Sequence, residues 1–499
     1  MLMQHRRKSG ILLHPTSLPG SGGIGALGSE ARRFVDFLAE AGQSLWQVLP
    51  LGPPGVGNSP YSCHSSFAGN PLLIDLETIA AEGDLPAEER QVEMPADHVD
   101  FIRVERYKSA CLRRASANFF ANGDAGRMDD FRRFCASSPW LDDFALFMAL
   151  KEAHAGKGWL SWPREIASRE ESALAGCGER LKEATGVRKY AQWQFFRQWR
   201  ALREYANAKG IEIIGDLPIF VAFDSADVWA NPHLFHLDEK GKPTVVAGVP
   251  PDYFSETGQR WGNPLYNWET IAFHGYGFWI ERMKSALGLY DIVRIDHFRG
   301  FEAYWEIPAT EKTAQKGRWV KGPGAELFNA LIDALGTLPI IAEDLGVITP
   351  DVEALRDRFG FAGMKVLQFA FGSGPENPYL PHNHVREAVV YTGTHDNDMT
   401  AGWFAELSEE EKKHVLSYLN SDGGDVAGDL VRAALASVAN VAVLPLQDVL
   451  GLNSSARMNV PGKPSGNWSW RFTGEMLKKE DGARLYEMTG LYGRLERRK

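Results

Sequence analysis

The chain has 499 residues, 44% hydrophobic and 24% charged, and carries a formal net charge of −10. That much apolar material supports a large core, while the acidic balance and the lack of a dense Lys/Arg run argue against nucleic-acid or anionic-membrane partners. Four widely spread cysteines, Cys63, Cys111, Cys135 and Cys177, form no C-x-x-C and no zinc-like pairing with histidine, so free thiols in a reducing compartment are expected.

The basic start, His5 to Lys8, precedes only Ile11-Leu12-Leu13, which is too short for a signal peptide. Nothing approaches the ~20 apolar residues of a membrane span. These readings together predict a cytoplasmic protein with no membrane partner. About 150 residues per domain would allow roughly three domains, but a single barrel with insertions also reaches this length.

Taken in order, eight apolar runs end in polar or catalytic-type residues: 10–14, 44–50, 211–218, 290–296, 338–344, 364–371, 388–396 and 441–448. Helical spacing is read at 29–42, 190–209, 276–289, 325–335 and 430–440, while 372–387 shows no convincing helix. Strand alternating with helix predicts an α/β fold, a (β/α)₈ TIM barrel whose site forms at the strands' C-terminal ends. An open doubly wound sheet is the structural alternative. Residues 1–499 read as one catalytic barrel with two insertions. One, over 75–188, is a helical subdomain between strands 2 and 3. The other, over 220–273, is a Pro-, Asp-, Asn- and aromatic-rich stretch between strands 3 and 4, expected to be an active-site loop subdomain.

The strand ends carry the chemistry. Ile292, Val293 and Ile295 frame Arg294 and lead into Asp296, His297 and Arg299. Arg294 and Asp296 lie two apart, hence on one face of a strand, where the guanidinium is expected to keep the carboxylate ionised. Glu343 and Asp344 follow another apolar run, His395 and Asp396 a third, and Asp216 follows Ile214-Gly215. One carboxylate after a strand is usually a helix cap or a strand terminator. Three, Asp296, Glu343 and Asp396, with Arg294, His297 and His395 suit glycosyl transfer, in which one carboxylate meets the anomeric carbon and a second protonates the departing oxygen. Aromatic and amide residues in the loops, at 58–61, 252–254, 259–261 and 467–471, suit a sugar substrate. Most of the fifteen tryptophans are expected in the core, with Trp261, in an irregular loop between Arg260 and Gly262, as the exception.

Arg294-Ile295-Asp296, Glu343 and His395-Asp396, in that order, resemble the catalytic signature of the α-amylase clan of retaining glycosidases. The segments at 10–19, 58–71, 215–218, 225–229, 259–264, 294–300, 342–346, 393–398 and 467–471 more closely resemble the 4-α-glucanotransferases of the amylomaltase (disproportionating enzyme) family. The likeness runs from residue 10 to 471, and within 75–188 it is one of length and character only. The clan's usual Asn-His pair after the third strand is replaced by Asp216-Leu217-Pro218, which favours the glucanotransferase branch over α-amylase. Phe220 and Met399 depart from the Tyr and Thr common in that family.

The resemblance implies a cofactor-free, metal-free enzyme that moves segments of 1,4-α-glucans by retaining double displacement. Maltooligosaccharides and larger α-1,4-glucans would be donor and acceptor, and the enzyme would be a monomer or small homo-oligomer. Asp296 would be the nucleophile, Glu343 the general acid/base and Asp396 the stabiliser of the transition state. Asp216, Arg294, His297 and His395 would surround the cleaved bond. Asp252, Gln259 and Trp261 would cover the acceptor, and Tyr61 and Asn467 would line the glucan path. An α-glucan hydrolase, a non-catalytic glucan-binding protein and a metal-dependent barrel hydrolase are the alternatives.

Overall fold

The computed structural model describes residues 7–86, 92–251 and 255–496. The described residues hold twelve strands: β1 (Lys8–Leu12), β2 (Leu45–Gln47), β3 (Glu212–Pro218), β4 (Val245–Val249), β5 (Gln259–Pro264), β6 (Ile292–Asp296), β7 (Ala303–Pro308), β8 (Arg318–Lys321), β9 (Ile340–Ala342), β10 (Gly363–Val366), β11 (Ala388–Tyr391) and β12 (Val441–Pro445). Eight of them pair in parallel in the order β10-β11-β12-β1-β2-β3-β6-β9. The two ends meet where the Ala342 amide donates to the Ala362 carbonyl at 2.8 Å, beside an Ile341–Ala362 bridge. The sheet is therefore a closed (β/α)₈ barrel, and the doubly wound alternative falls.

Strands buried on both faces need apolar residues without alternation. Ala388–Tyr391 and Val441–Pro445 are buried at every position. Two glycines are forced by this packing. A Cβ on Gly10 would sit 2.3 Å from the Leu45 carbonyl oxygen, and one on Gly215 would sit 2.1 Å from the Tyr290 ring. The surrounding helices lay one apolar face on the barrel. Helix Ser29–Glu40 buries Ala31, Phe34, Val35 and Leu38, and helix Gly324–Leu335 buries Leu327, Phe328 and Leu331.

The strands are shorter than their apolar runs. The runs expected at 338–344 and 388–396 form strands only over Ile340–Ala342 and Ala388–Tyr391. Glu343 and Asp396 thus stand on loops beyond the ladders, where backbone amides are free to turn toward side chains.

From Leu76 to β3 the described residues are mainly helical, ending in helix Lys182–Ala208. A boundary at 188 falls inside this 27-residue helix, so the helical region and the helix preceding β3 are continuous. Its polar side chains tie the region together. Tyr190 Oη donates to Asp84 Oδ2 at 2.8 Å, and Arg197 Nη2 donates to Glu82 Oε1 at 2.9 Å.

The stretch 220–273 is more regular than its sequence suggests. It holds β4 and β5, which join β7 and β8 in an antiparallel sheet ordered β5-β4-β7-β8. Residues 259–261 of β5 are exposed, so no apolar alternation marks the strand. Trp261 therefore sits on an edge strand rather than in an irregular loop. Among the described residues no helix is long and apolar enough to cross a membrane.

Candidate active site

The register between β3 and β6 sets the site. Asp216 lies opposite Arg294, and Pro218 lies opposite Asp296. Arg294 Nη1 donates to both carboxylate oxygens of Asp216, at 2.8 and 2.7 Å, and Nη2 lies 3.2 Å from Asp296 Oδ1. The guanidinium is thus divided between two carboxylates, with the shorter contacts going to Asp216.

β9 adjoins β6, so the residue after it reaches the same rim. Glu343 Oε2 accepts from the His297 amide at 2.7 Å, and Oε1 accepts from the Leu345 amide at 3.0 Å. The Glu343 main chain also bonds across to this turn, donating to the Ile295 carbonyl and accepting from the Phe298 amide. His297 has the left-handed φ of 54°, an uncommon conformation for a residue with a Cβ. This turn brings its amide to the glutamate one residue beyond the aspartate.

Burial pushes the Asp296 carboxyl up to about 8 against the pull of Arg294, and the charges of Asp216, Glu343 and Asp396 push the same way. Burial raises Glu343 as well, with Arg294 and its two backbone donors opposing. The simple expectation that Arg294 keeps Asp296 ionised is therefore corrected: one guanidinium serves several carboxylates. With both carboxyls raised, Asp296 and Glu343 hold a proton to higher pH than free carboxyls do. Arg294 favours charge on Asp296, and the two amides favour it on Glu343.

The third carboxylate stands on the loop after β11. Asp396 Oδ1 accepts from Asn459 Nδ2 at 2.6 Å and lies 3.4 Å from His395 Nε2. Burial holds His395 below its ordinary value, so the imidazole is neutral at pH 7. Tyr61 stacks on His395 with ring centres 5.0 Å apart and an interplanar angle of 13°. Its hydroxyl donates to Asp216 Oδ2 at 2.6 Å. Tyr61 thereby links the third and seventh strands of the barrel, and Trp468 packs against both Tyr61 and His395.

On the opposite side, Trp261 meets His297 edge to face with ring centres 4.8 Å apart, and Phe220 packs near both. Trp261 is 39% exposed, whereas Trp46, Trp193, Trp199, Trp229 and Trp279 are fully buried. Gln259 Oε1 accepts from Trp261 Nε1 at 3.1 Å. Burial lowers His297 to about 3, and its Nε2 is buried with no hydrogen-bond partner among the described residues. A neutral imidazole with an open nitrogen is suited to a hydroxyl.

The structure thus gathers Tyr61, Asp216, Arg294, Asp296, His297, Glu343, His395 and Asp396 at one rim, with Gln259 and Trp261 beside them. Asn467 uses its amide on its own loop, accepting from the Val460 amide and donating to the Lys463 carbonyl. It shapes the loop that delivers Trp468. Asp252 lies outside the described residues. Asn459 and Arg457 were not identified from sequence, because an Asn in a Ser/Asn/Pro/Gly-rich loop has no pattern to distinguish it.

The profile of a family described as 4-alpha-glucanotransferase matches residues 13–477. A 4-alpha-glucanotransferase of Thermus thermophilus is 54% identical over 503 residues, covering 99% of this chain and 100% of its own. One from Synechocystis is 54% identical over 499 residues, covering 99% of each. The amylomaltase of Streptococcus agalactiae, solved in complex with acarbose, superposes with a TM-score of 0.96 at 41% identity, covering 98% of this chain and 100% of that one. Match over nearly the whole length, in sequence and in fold, means that the chain belongs to the 4-alpha-glucanotransferase family and is an enzyme of that class.

Proposed function

We propose that the enzyme transfers segments of 1,4-α-glucans by retaining double displacement, with Asp296 as nucleophile, Glu343 as acid/base and Asp396 as stabiliser of the transition state. The observation that carries this is the carboxylate cluster itself. Asp296 faces Arg294, and Glu343 is tied by two amide bonds to the turn that follows Asp296. In the first step Asp296 forms an ester to the anomeric carbon while the glycosidic bond breaks, and Glu343 gives its proton to the departing oxygen. In the second, the 4-hydroxyl of an acceptor glucan attacks the same carbon, its proton passes to Glu343, and the Asp296 ester breaks. Two inversions restore the original configuration.

Maltooligosaccharides and longer α-1,4-glucans fit as donors and acceptors. Support comes from the acarbose bound by the S. agalactiae relative and from the aromatic walls formed by Tyr61, Trp468 and Trp261. Water at about 55 M competes with the acceptor, so transfer requires that a sugar be held over the ester and water kept out. Trp261, exposed and braced on His297, serves that purpose. Trp261→Ala is expected to raise the ratio of hydrolysis to transfer about tenfold, read as reducing ends released per transfer event. An unchanged ratio removes Trp261 from the acceptor side.

The shared proton sets the alkaline limit. Because the pair's pKa is raised, its proton is kept to higher pH, and activity is lost as pH climbs through about 8. The free-enzyme parameter kcat/KM for maltotriose should fall about tenfold per unit above that value. A flat profile to pH 9.5 would contradict the shared-proton arrangement. The reaction itself is tested by incubating the protein with maltotriose alone, with and without EDTA, and resolving products by length. Glucose plus a ladder of longer maltooligosaccharides, with little gain in total reducing ends, is expected in both. A steady rise in reducing ends without a ladder would identify a hydrolase.

A further inference from the structure

The three carboxylates are anchored differently. Asp296 has Arg294, and Glu343 has two backbone amides. Asp396 has a more exposed side chain, 47%, than Asp296 at 30% or Asp216 at 0%. A half-exposed aspartate samples several rotamers unless something holds it. What holds it comes from the segment that follows β12.

That segment runs from Asn453 to Trp468 across the mouth of the barrel. Arg457 Nη2 donates to the Asp396 carbonyl at 2.6 Å, and Arg457 Nε donates to the Asn459 carbonyl at 2.7 Å. One guanidinium thus fixes the two main chains relative to each other. Asn459 Nδ2 then donates to Asp396 Oδ1 at 2.6 Å, the same oxygen that faces His395. Both contacts fall on Oδ1, and among the described residues no hydrogen bond reaches Oδ2. The segment is closed behind this contact by the Trp468 amide, which donates to the Met458 carbonyl at 2.7 Å. Trp468 has a left-handed φ of 67°, and such strain in a residue with a Cβ persists only where its surroundings hold it. Ser454 adds a further tie, donating to Asp398 Oδ2 at 2.7 Å.

We propose that Asn459 is a positioning residue for the transferase reaction, holding Asp396 by Oδ1 so that Oδ2 is presented to the sugar at the cleaved bond. The inference rests on the role given to Asp396 above. It assigns the 453–468 segment a part in catalysis through one hydrogen bond, distinct from lining the glucan path.

The test compares Asn459→Ala, Asn459→Asp, Asp396→Ala and the Asn459→Ala/Asp396→Ala double variant. Thermal midpoints are recorded, and α-maltosyl fluoride serves as donor so that slow variants stay measurable. Losing a hydrogen bond to a charged group lowers kcat by about 10- to 100-fold in Asn459→Ala, with KM within about threefold. The same change made on top of Asp396→Ala has no further effect, because its only route of action is gone. Asn459→Asp keeps the shape and packing but sets acceptor against acceptor, and loses at least as much at pH 8. Full activity in Asn459→Ala beside a crippled Asp396→Ala overturns the inference alone. So does an equal loss from Asn459→Ala in both backgrounds, which marks a merely structural residue. Full activity in Asp396→Ala overturns the role of Asp396, and the inference falls with it.

Discussion

Asp296→Asn is expected to lower kcat for maltotriose disproportionation by about 10⁴-fold or more while leaving the affinity for maltotriose within about threefold. The substitution is nearly isosteric and removes only the capacity to form the ester. Arg294 stays anchored, because its shorter bonds are to Asp216. Loss of a nucleophile removes the covalent route entirely, and residual rates then come from binding and the remaining groups.

The same variant should be the more stable protein at neutral pH. A carboxyl whose pKa is raised in the folded state, here to about 8, carries no penalty below its unfolded value near 4. The penalty grows as pH rises from there toward 8. Removing it should raise the melting temperature by roughly 1–3 °C at pH 8 and leave it unchanged at pH 4. This is the usual opposition between stability and a charge-crowded active site. Wild-type turnover in Asp296→Asn would overturn the assignment. A lower melting temperature at pH 8 would show that Asp296 stabilises the fold through Arg294.

Glu343→Gln is expected to lower kcat about 10³- to 10⁴-fold with maltooligosaccharide donors, within the span that general acid catalysis supplies. The amide keeps its place, since the carbonyl oxygen still accepts from the His297 or Leu345 amide. With α-maltosyl fluoride the departing fluoride needs no proton, so formation of the ester should be restored to within about tenfold of wild type. Transfer onward should stay slow, because the acceptor hydroxyl then has no base. An equal loss with both donors would mean that Glu343 does not act as the acid.

The barrel was legible because parallel strands buried on both faces must be written in unbroken apolar residues, and runs such as 338–344 and 388–396 stop abruptly in charge. Their ends held Asp216, Asp296, Glu343 and Asp396, which the closed barrel brings to one rim. Contacts between distant segments were hidden. Tyr61 and Asp216 are 155 positions apart, and nothing in either neighbourhood marks their hydrogen bond.

The antiparallel sheet was hidden for a different reason. β5 is exposed along much of its length, so burial imposes no alternation on it. Helix Lys182–Ala208 obscured a boundary because its first turns, before Tyr190, bury only Val187 and so carry no apolar stripe, while its buried Gln192, Gln194 and Gln198 are of a type usual at the surface. Gln192 and Gln198 instead satisfy backbone groups at Gly69 and Asp75. Asn467 was the right residue type in the right loop, but its amide serves that loop. The neighbouring Asn459, without a pattern around it, reaches the carboxylate.

Both half-reactions pass through a covalent glycosyl ester on Asp296. The most direct measurement is intact-protein and peptide mass spectrometry after reaction of Glu343→Gln with α-maltosyl fluoride, where the ester forms and then persists. A mass increase of one maltosyl group, located on the peptide at Asp296 and absent in Asp296→Asn/Glu343→Gln, is the predicted result. An unmodified protein that still consumes the fluoride, or a label on another residue, would contradict it.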